Sequence, residues 1–192
     1  MLDVCSNVAK GLDLKFNVKK SMALRIGKRC NVACRNLCLS GQELPYVKEI
    51  KYLGVYIKSG LNLKCSYIHC KLRFYRCFNA VYCKAKAAAS ELICVNLLKT
   101  YCLPLILYAT EAICPANRDI QMLEKLIDTA VGKIFNTFDG SLISDIRSNV
   151  GLDKVSDIIE KRHAKFYKKF CLKEYCFSST IRIVNCDLLD IL

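Results

Sequence analysis

Two stretches, GLDLKFNVKKSMALRIG at residues 11–27 and GQELPYVKEIKYLGVYI at residues 41–57, carry the strand signals of this 192-residue chain. In the first, Leu12, Leu14 and Phe16 alternate with Asp13, Lys15 and Asn17, and Met22, Leu24 and Ile26 alternate with Ala23, Arg25 and Gly27. A period of two sends alternate side chains to opposite faces, so each run predicts a half-buried strand. Asn17 to Ser21, with Lys19 and Lys20 at its centre, predicts a basic turn joining them as a hairpin. In the second stretch, Ile50 to Ile57 predicts a further extended piece, and Gly54 within it leaves room for a bulge or for close approach of another backbone.

Outward from these strands the periodicity changes to that of helices. Met1 to Lys10 predicts the last turns of a helix, with Leu2, Cys5, Val8 and Ala9 on one side and Gly11 as its stop. From Leu61 onward the chain is expected to be helical. Over residues 64–86, Tyr67, Phe74, Phe78, Val81, Tyr82 and Ala85 fall on one side, while His69, Arg73, Arg76 and Lys84 fall on the other, within roughly 80° on an ideal helix. A basic stripe backed by an aromatic one suits a helix lying along a phosphate backbone, and equally an ordinary amphipathic helix with a solvated face.

Glu91 to Glu111 is apolar nearly all round, which predicts a central buried helix that Pro104 kinks or divides. Asn96, Lys99 and Thr100 interrupt it too often for a membrane span. Asn117 is the expected N-cap of a helix from Arg118 to Phe135, burying Ile120, Leu123, Ile127, Ala130, Val131 and Ile134 with Asp119, Gln121, Lys125 and Asp128 facing away. A connector around Gly140 follows, with a short helix near Ser144. A last helix, residues 154–171, offers Ile158, Ile159, Ala164, Phe166 and Phe170 for burial and Lys161, Arg162, Lys165, Lys168 and Lys169 as a second basic patch. Residues 175–192 read as a short strand or loop.

A hydrophobic content of 53% supports a packed core, and the net charge of +13 is concentrated in the first half. Residues 1–110 hold 18 Lys and Arg against 5 Asp and Glu, so a polyanion would be drawn there. No apolar leader with a cleavage site opens the sequence, which predicts an intracellular protein, nuclear or cytoplasmic, whose 14 cysteines are reduced small hydrophobes. Cys30, Cys34 and Cys38, like Cys65, His69 and Cys70, lack a complementary ligand pair, and no metal site is expected.

Gly11-Leu12, Asn17, Lys20-Ser21 and Lys51-Tyr52-Leu53-Gly54-Val55 stand in an ordered series that resembles the end of the palm domain in reverse transcriptases of non-LTR (LINE-type) retrotransposons. LLKTYCLPLILYATEAI, residues 97–113, is similar to the same family's helix ending in Leu-Tyr-Gly-x-Glu, with Ala109 where glycine is usual. The resemblance covers about residues 8–172.

The resemblance implies an α+β fold. A small antiparallel β palm remnant with a primer-grip-like hairpin would span residues 1–60, a mainly α-helical, thumb-like bundle residues 61–172, and a tail of unassigned structure residues 173–192. It implies that Lys20 faces the nucleotide phosphates, that Tyr52, Leu53, Gly54 and Val55 touch the primer end, and that Lys19, Lys64, His69, Arg73, Arg76 and Lys84 meet the nucleic-acid backbone. The family's paired catalytic aspartates have no counterpart here, because Asp187 and Asp190 have the wrong spacing and neighbours. Nucleotidyl transfer needs carboxylates to hold two metal ions, so no catalytic residue is expected and Mg2+ belongs only to a full-length member. The expected function is that of a partial reverse transcriptase that binds an RNA/DNA or primer-template duplex without copying it. Its partners would be nucleic acid and a separate palm and fingers polypeptide, not a membrane. The alternative is a retrotransposon-derived, non-catalytic helical domain for protein interaction or structure, without nucleic-acid binding.

Overall fold

The computed structural model describes residues 1–86, 90–113 and 115–172, the last three as backbone alone. The reading of residues 175–192, the tail as a whole and the burial of Phe170 lie outside the described residues. Among the described residues the fold is α+β, with short strands in the first part of the chain and helices after them. Two compact units form, one of Met1–Cys70 and one beginning at Lys71.

In the first unit, α1 (Leu2–Gly11) turns Ser6 and Ala9 inward, with Leu2 partly covered. Cys5 and Val8, expected on that side, are exposed. The next run, Leu12 to Phe16, is not a strand: Asp13 takes a positive φ of 54°, and Leu12 and Leu14 are 66% and 60% exposed. Alternation gives only a preference, and a strand also needs a partner edge, which this segment lacks in the described fold. The basic turn is present as a single 3-10 turn, Val18–Lys20, in which Asn17 Oδ1 accepts from the Lys20 N–H at 3.2 Å.

Without a strand before it, β1 (Ala23–Leu24) pairs elsewhere. β2 (Leu37–Leu39) and β3 (Gln42–Leu44) form an antiparallel hairpin, and β4 (Tyr46–Val47) runs parallel to β1. The other named strand pairs are antiparallel, as expected, and β1 with β4 is the parallel exception among the described strands. Ile50 to Ile57 is not one extended piece but a hairpin, β5 (Glu49–Tyr52) and β6 (Val55–Lys58), reversing at Leu53-Gly54. β7 (Lys64–Ser66) adds to the far edge of β6, so the chain is not helical from Leu61. Short apolar runs do not distinguish helix from strand, and here Cys65 pairs with Ile57 across the sheet.

The division between the units falls inside α2 (Ile68–Ala85), whose Phe74, Phe78 and Ala85 are buried. The helix expected over residues 91–111 is interrupted, as Pro104 led one to expect, and ends at Ile106. α3 (Glu91–Leu97) runs into a π-turn at Leu98–Cys102 and then a short α4 (Leu103–Ile106). Pro104 has no N–H to return to the Thr100 carbonyl, and the Leu103 N–H bonds five residues back, to Leu98 O. Burial is also one-sided: Val95, Leu98, Cys102 and Ile106 are covered, whereas Leu92, Ile93 and Tyr101 are exposed.

α5 (Asn117–Phe135) is the packing helix its stripe predicted, with Leu123, Ile127, Ala130 and Val131 buried. Its N-cap is Ala116, not Asn117, and Leu126 joins the buried face. Asp128 does not face away, because it meets Arg147 on α6 (Gly140–Asn149). Asp139 caps α6 through the Ser141 N–H at 2.9 Å. α7 (Val155–Leu172) packs on α5 through its first turns, where Val155 and Ile159 are buried. Ala164 and Phe166, further along, are exposed rather than buried. Among the described residues, no helix is long and apolar enough to cross a membrane.

Candidate nucleic-acid interface

Within the first unit, the 3-10 turn sets Lys19 and Lys20 outward as exposed side chains, and Ser21 Oγ closes the turn by donating to Asn17 O at 3.0 Å. An exposed ammonium at a turn fixed by two local hydrogen bonds offers a positioned point charge to an anion. The hairpin carries the second group of predicted residues. Tyr52 pairs with Val55, and the intervening Leu53 and Gly54 both have positive φ, 46° and 83°. Two such residues between paired strands define a tight turn of the I′ kind, whose twist matches that of the strands. Its tip presents Tyr52 and Leu53, 63% and 74% exposed.

Lys64 is exposed on β7, a strand and not the helix on which the sequence placed it. His69, in the first turn of α2, is already engaged. Its ring stacks on Tyr56 at 3.7 Å between centroids, and Nε2 lies 3.7 Å from Glu49 Oε1. Lys51 Nζ sits over the same Tyr56 ring at 5.9 Å. His69 therefore ties the helix start to the hairpin strands as well as facing the surface.

In the second unit, Arg73, Arg76 and Lys84 are exposed on α2, opposite the buried Phe74 and Phe78. None of the three has a carboxylate within ion-pair distance among the described residues. Their charge is thus not consumed locally. The aromatic side of the helix is ordered as a stack, with Phe74, Phe78 and Tyr82 at centroid spacings of 6.1 and 5.5 Å. It anchors the helix by packing, as expected for rings that are core rather than base platforms.

Two cations that the sequence reading did not select join this helix. Lys133 Nζ lies 5.2 Å from the Tyr82 ring centroid and bonds Asn79 Oδ1 at 3.1 Å, and Lys86 Nζ lies 5.8 Å from the same ring. The Tyr82 hydroxyl donates to Lys133 O at 3.0 Å. Lys133 was legible only as a basic residue in the last turn of α5, which helix-end electrostatics favour. Its pairing with Tyr82 is a contact between distant parts of the sequence.

Cys30, Cys34 and Cys38 occupy a turn, a loop and β2, so their four-residue spacing does not form a helical face. Cys34 is hydrogen-bonded to the Tyr46 phenol and, with a smaller effect of burial, holds it above its usual 10.0. Burial raises the Cys65 thiol, as for an unreactive packing residue. Among the described residues, no group of three His, Cys, Asp or Glu side chains could hold a metal ion. No protein-family model matches the chain, and no curated protein or solved structure matches it.

Proposed function

We propose that this chain is the C-terminal palm and thumb portion of a non-LTR reverse transcriptase and binds an RNA/DNA or primer-template duplex without copying it. The observation that carries the reading is the exposed stripe of Arg73, Arg76 and Lys84 on α2, with no carboxylate in ion-pair reach among the described residues, backed by the buried Phe74 and Phe78. Charge facing outward from a rigidly packed helix suits neutralisation of phosphates along one strand. The tight hairpin at Tyr52 to Val55 supports the same reading, since a grip on a primer end needs a stiff, protruding backbone. Lys20 is the group assigned to nucleotide phosphates. Strand synthesis is assigned to no residue of this chain.

Binding of a fluorescent RNA/DNA hybrid, followed by anisotropy between about 50 and 200 mM salt, tests the proposal. The double variant Arg73→Ala/Arg76→Ala should bind more weakly and reduce the log–log salt slope by about 2. An unchanged slope would remove α2 from the interface.

A second reading is favoured by a different observation. Val4, Val8, Leu12 and Leu14, in the first turns of the chain, are exposed by 58–66%. Apolar side chains gathered in one segment suit a protein partner, so a protein-interaction domain is the competing function. Absence of hybrid binding at low salt would favour it.

A further inference from the structure

The sulfurs of Cys77 on α2 and Cys102 at the end of the π-turn lie 3.6 Å apart, with the Cys102 S–H directed at Cys77 Sγ. The Cys77 S–H is directed in turn at the Tyr101 carbonyl, 3.8 Å away. Cys77 is partly exposed and Cys102 is fully buried. The two thiols are thus in van der Waals contact on different helical segments, and one of them is within reach of solvent. A disulfide holds its sulfurs at about 2 Å, so oxidation requires this pair to close from 3.6 Å.

We propose that Cys77 and Cys102 form a dithiol that a small-molecule disulfide, of which oxidised glutathione is the example, converts to an internal disulfide tying α2 to the π-turn. Exchange begins at the accessible sulfur. The Cys77 thiolate attacks one sulfur of the glutathione disulfide, breaks the S–S bond, and releases one glutathione thiolate. Cys102 then gives up its proton, and the resulting thiolate attacks the Cys77 sulfur of the mixed disulfide. That S–S bond breaks and releases the second glutathione as a thiolate, and the two glutathione thiolates take up the two protons that the cysteines lost. The two cysteines lose two electrons and two protons, and one glutathione disulfide becomes two glutathione thiols.

Burial, with the Cys77 hydrogen bond adding to it, pushes the Cys102 thiol up to about 12. The partly exposed Cys77 therefore opens the exchange, and Cys102, in contact with it, resolves the mixed disulfide only through its deprotonated fraction. The second step is consequently the slower one and speeds up as pH rises. The pairing depends only on this contact and is independent of nucleic-acid binding.

Reduced 192-residue chain incubated with oxidised glutathione, alkylated in denaturant and digested without reduction provides the test. The expected product is a linked peptide joining Cys77 to Cys102, with loss of alkylation at both. In Cys102→Ala, Cys77 should keep its glutathione adduct. In Cys77→Ser, altered at the partly exposed position, Cys102 should remain an alkylatable thiol. A wild-type end product carrying glutathione on Cys77 with Cys102 still alkylatable overturns the proposal, as does Cys102 paired with another cysteine in Cys77→Ser.

Discussion

Arg147 Nη1 lies 2.6 Å from Asp128 Oδ1 and 2.6 Å from Glu124 Oε1, with only 7% of its side chain exposed. Its Nη2 donates to Asp153 O at 2.9 Å, so one guanidinium joins α5, α6 and the approach to α7. Glu124 also accepts from the Val155 N–H at 2.7 Å, at the start of α7. Removing a buried cation from such a network leaves its partners unpaired. Both carboxylates retain access to water, which moderates the loss. Arg147→Met should therefore lower unfolding free energy by about 2 kcal/mol in urea titration. A loss under about 0.5 kcal/mol would mean that the carboxylates are fully rehydrated without their partner.

Ala109 holds a positive φ of 61° where the chain reverses after α4, and Ala112 and Ile113 both donate to its carbonyl. A left-handed conformation costs a residue with a Cβ roughly 1–2 kcal/mol, part of which glycine returns through its greater freedom when unfolded. Ala109→Gly should accordingly stabilise the chain by about 0.5–1 kcal/mol. Destabilisation in thermal or urea unfolding would show that the Ala109 methyl packs well enough to outweigh the strain.

Asp139 accepts from the Ser141 hydroxyl at 2.8 Å and from the Ser141 N–H at 2.9 Å, and these bonds hold its carboxyl below the usual 3.8. Since the folded value is the lower one, the stabilisation is complete above the unfolded value and disappears as pH falls through the folded one. Asp139→Asn keeps an N-cap acceptor without the titration. The variant should match wild type near neutral pH in melting temperature and lose less of it on acidification below pH 3.8. Parallel acid limbs would show that this cap does not contribute to acid unfolding.

The sequence revealed most where packing follows a local period. Phe74 and Phe78 are four residues apart on α2, and both are buried as the stripe requires. Leu123, Ile127 and Val131 repeat the pattern on α5. It misled where a period needed a distant partner: Leu12, Leu14 and Phe16 have strand alternation but no strand beside them among the described residues, whereas Lys64 to Ser66 became a strand because β6 offered an edge. Arg147 could not have been selected, since its carboxylates come from another helix, 19 residues away in the case of Asp128. The exposed cations of α2 were legible from helical spacing, but the engagement of His69 by Tyr56 and Glu49 depends on a sheet that the sequence did not place.

Leu53 allows the hairpin's shape to be separated from its surface role. With a φ of 46° it occupies the first central position of a tight turn, where asparagine tolerates the left-handed region far better than a γ-branched residue. Leu53→Asn should raise stability by about 0.5–1 kcal/mol if turn geometry dominates. It also removes an apolar side chain from the hairpin tip without altering any charge. If that tip grips a primer end, hybrid affinity falls while the salt slope stays that of wild type, because the slope counts phosphate contacts alone. A variant that is more stable and binds unchanged would exclude Leu53 from the interface, and one that loses stability would show that packing of the leucine holds the turn.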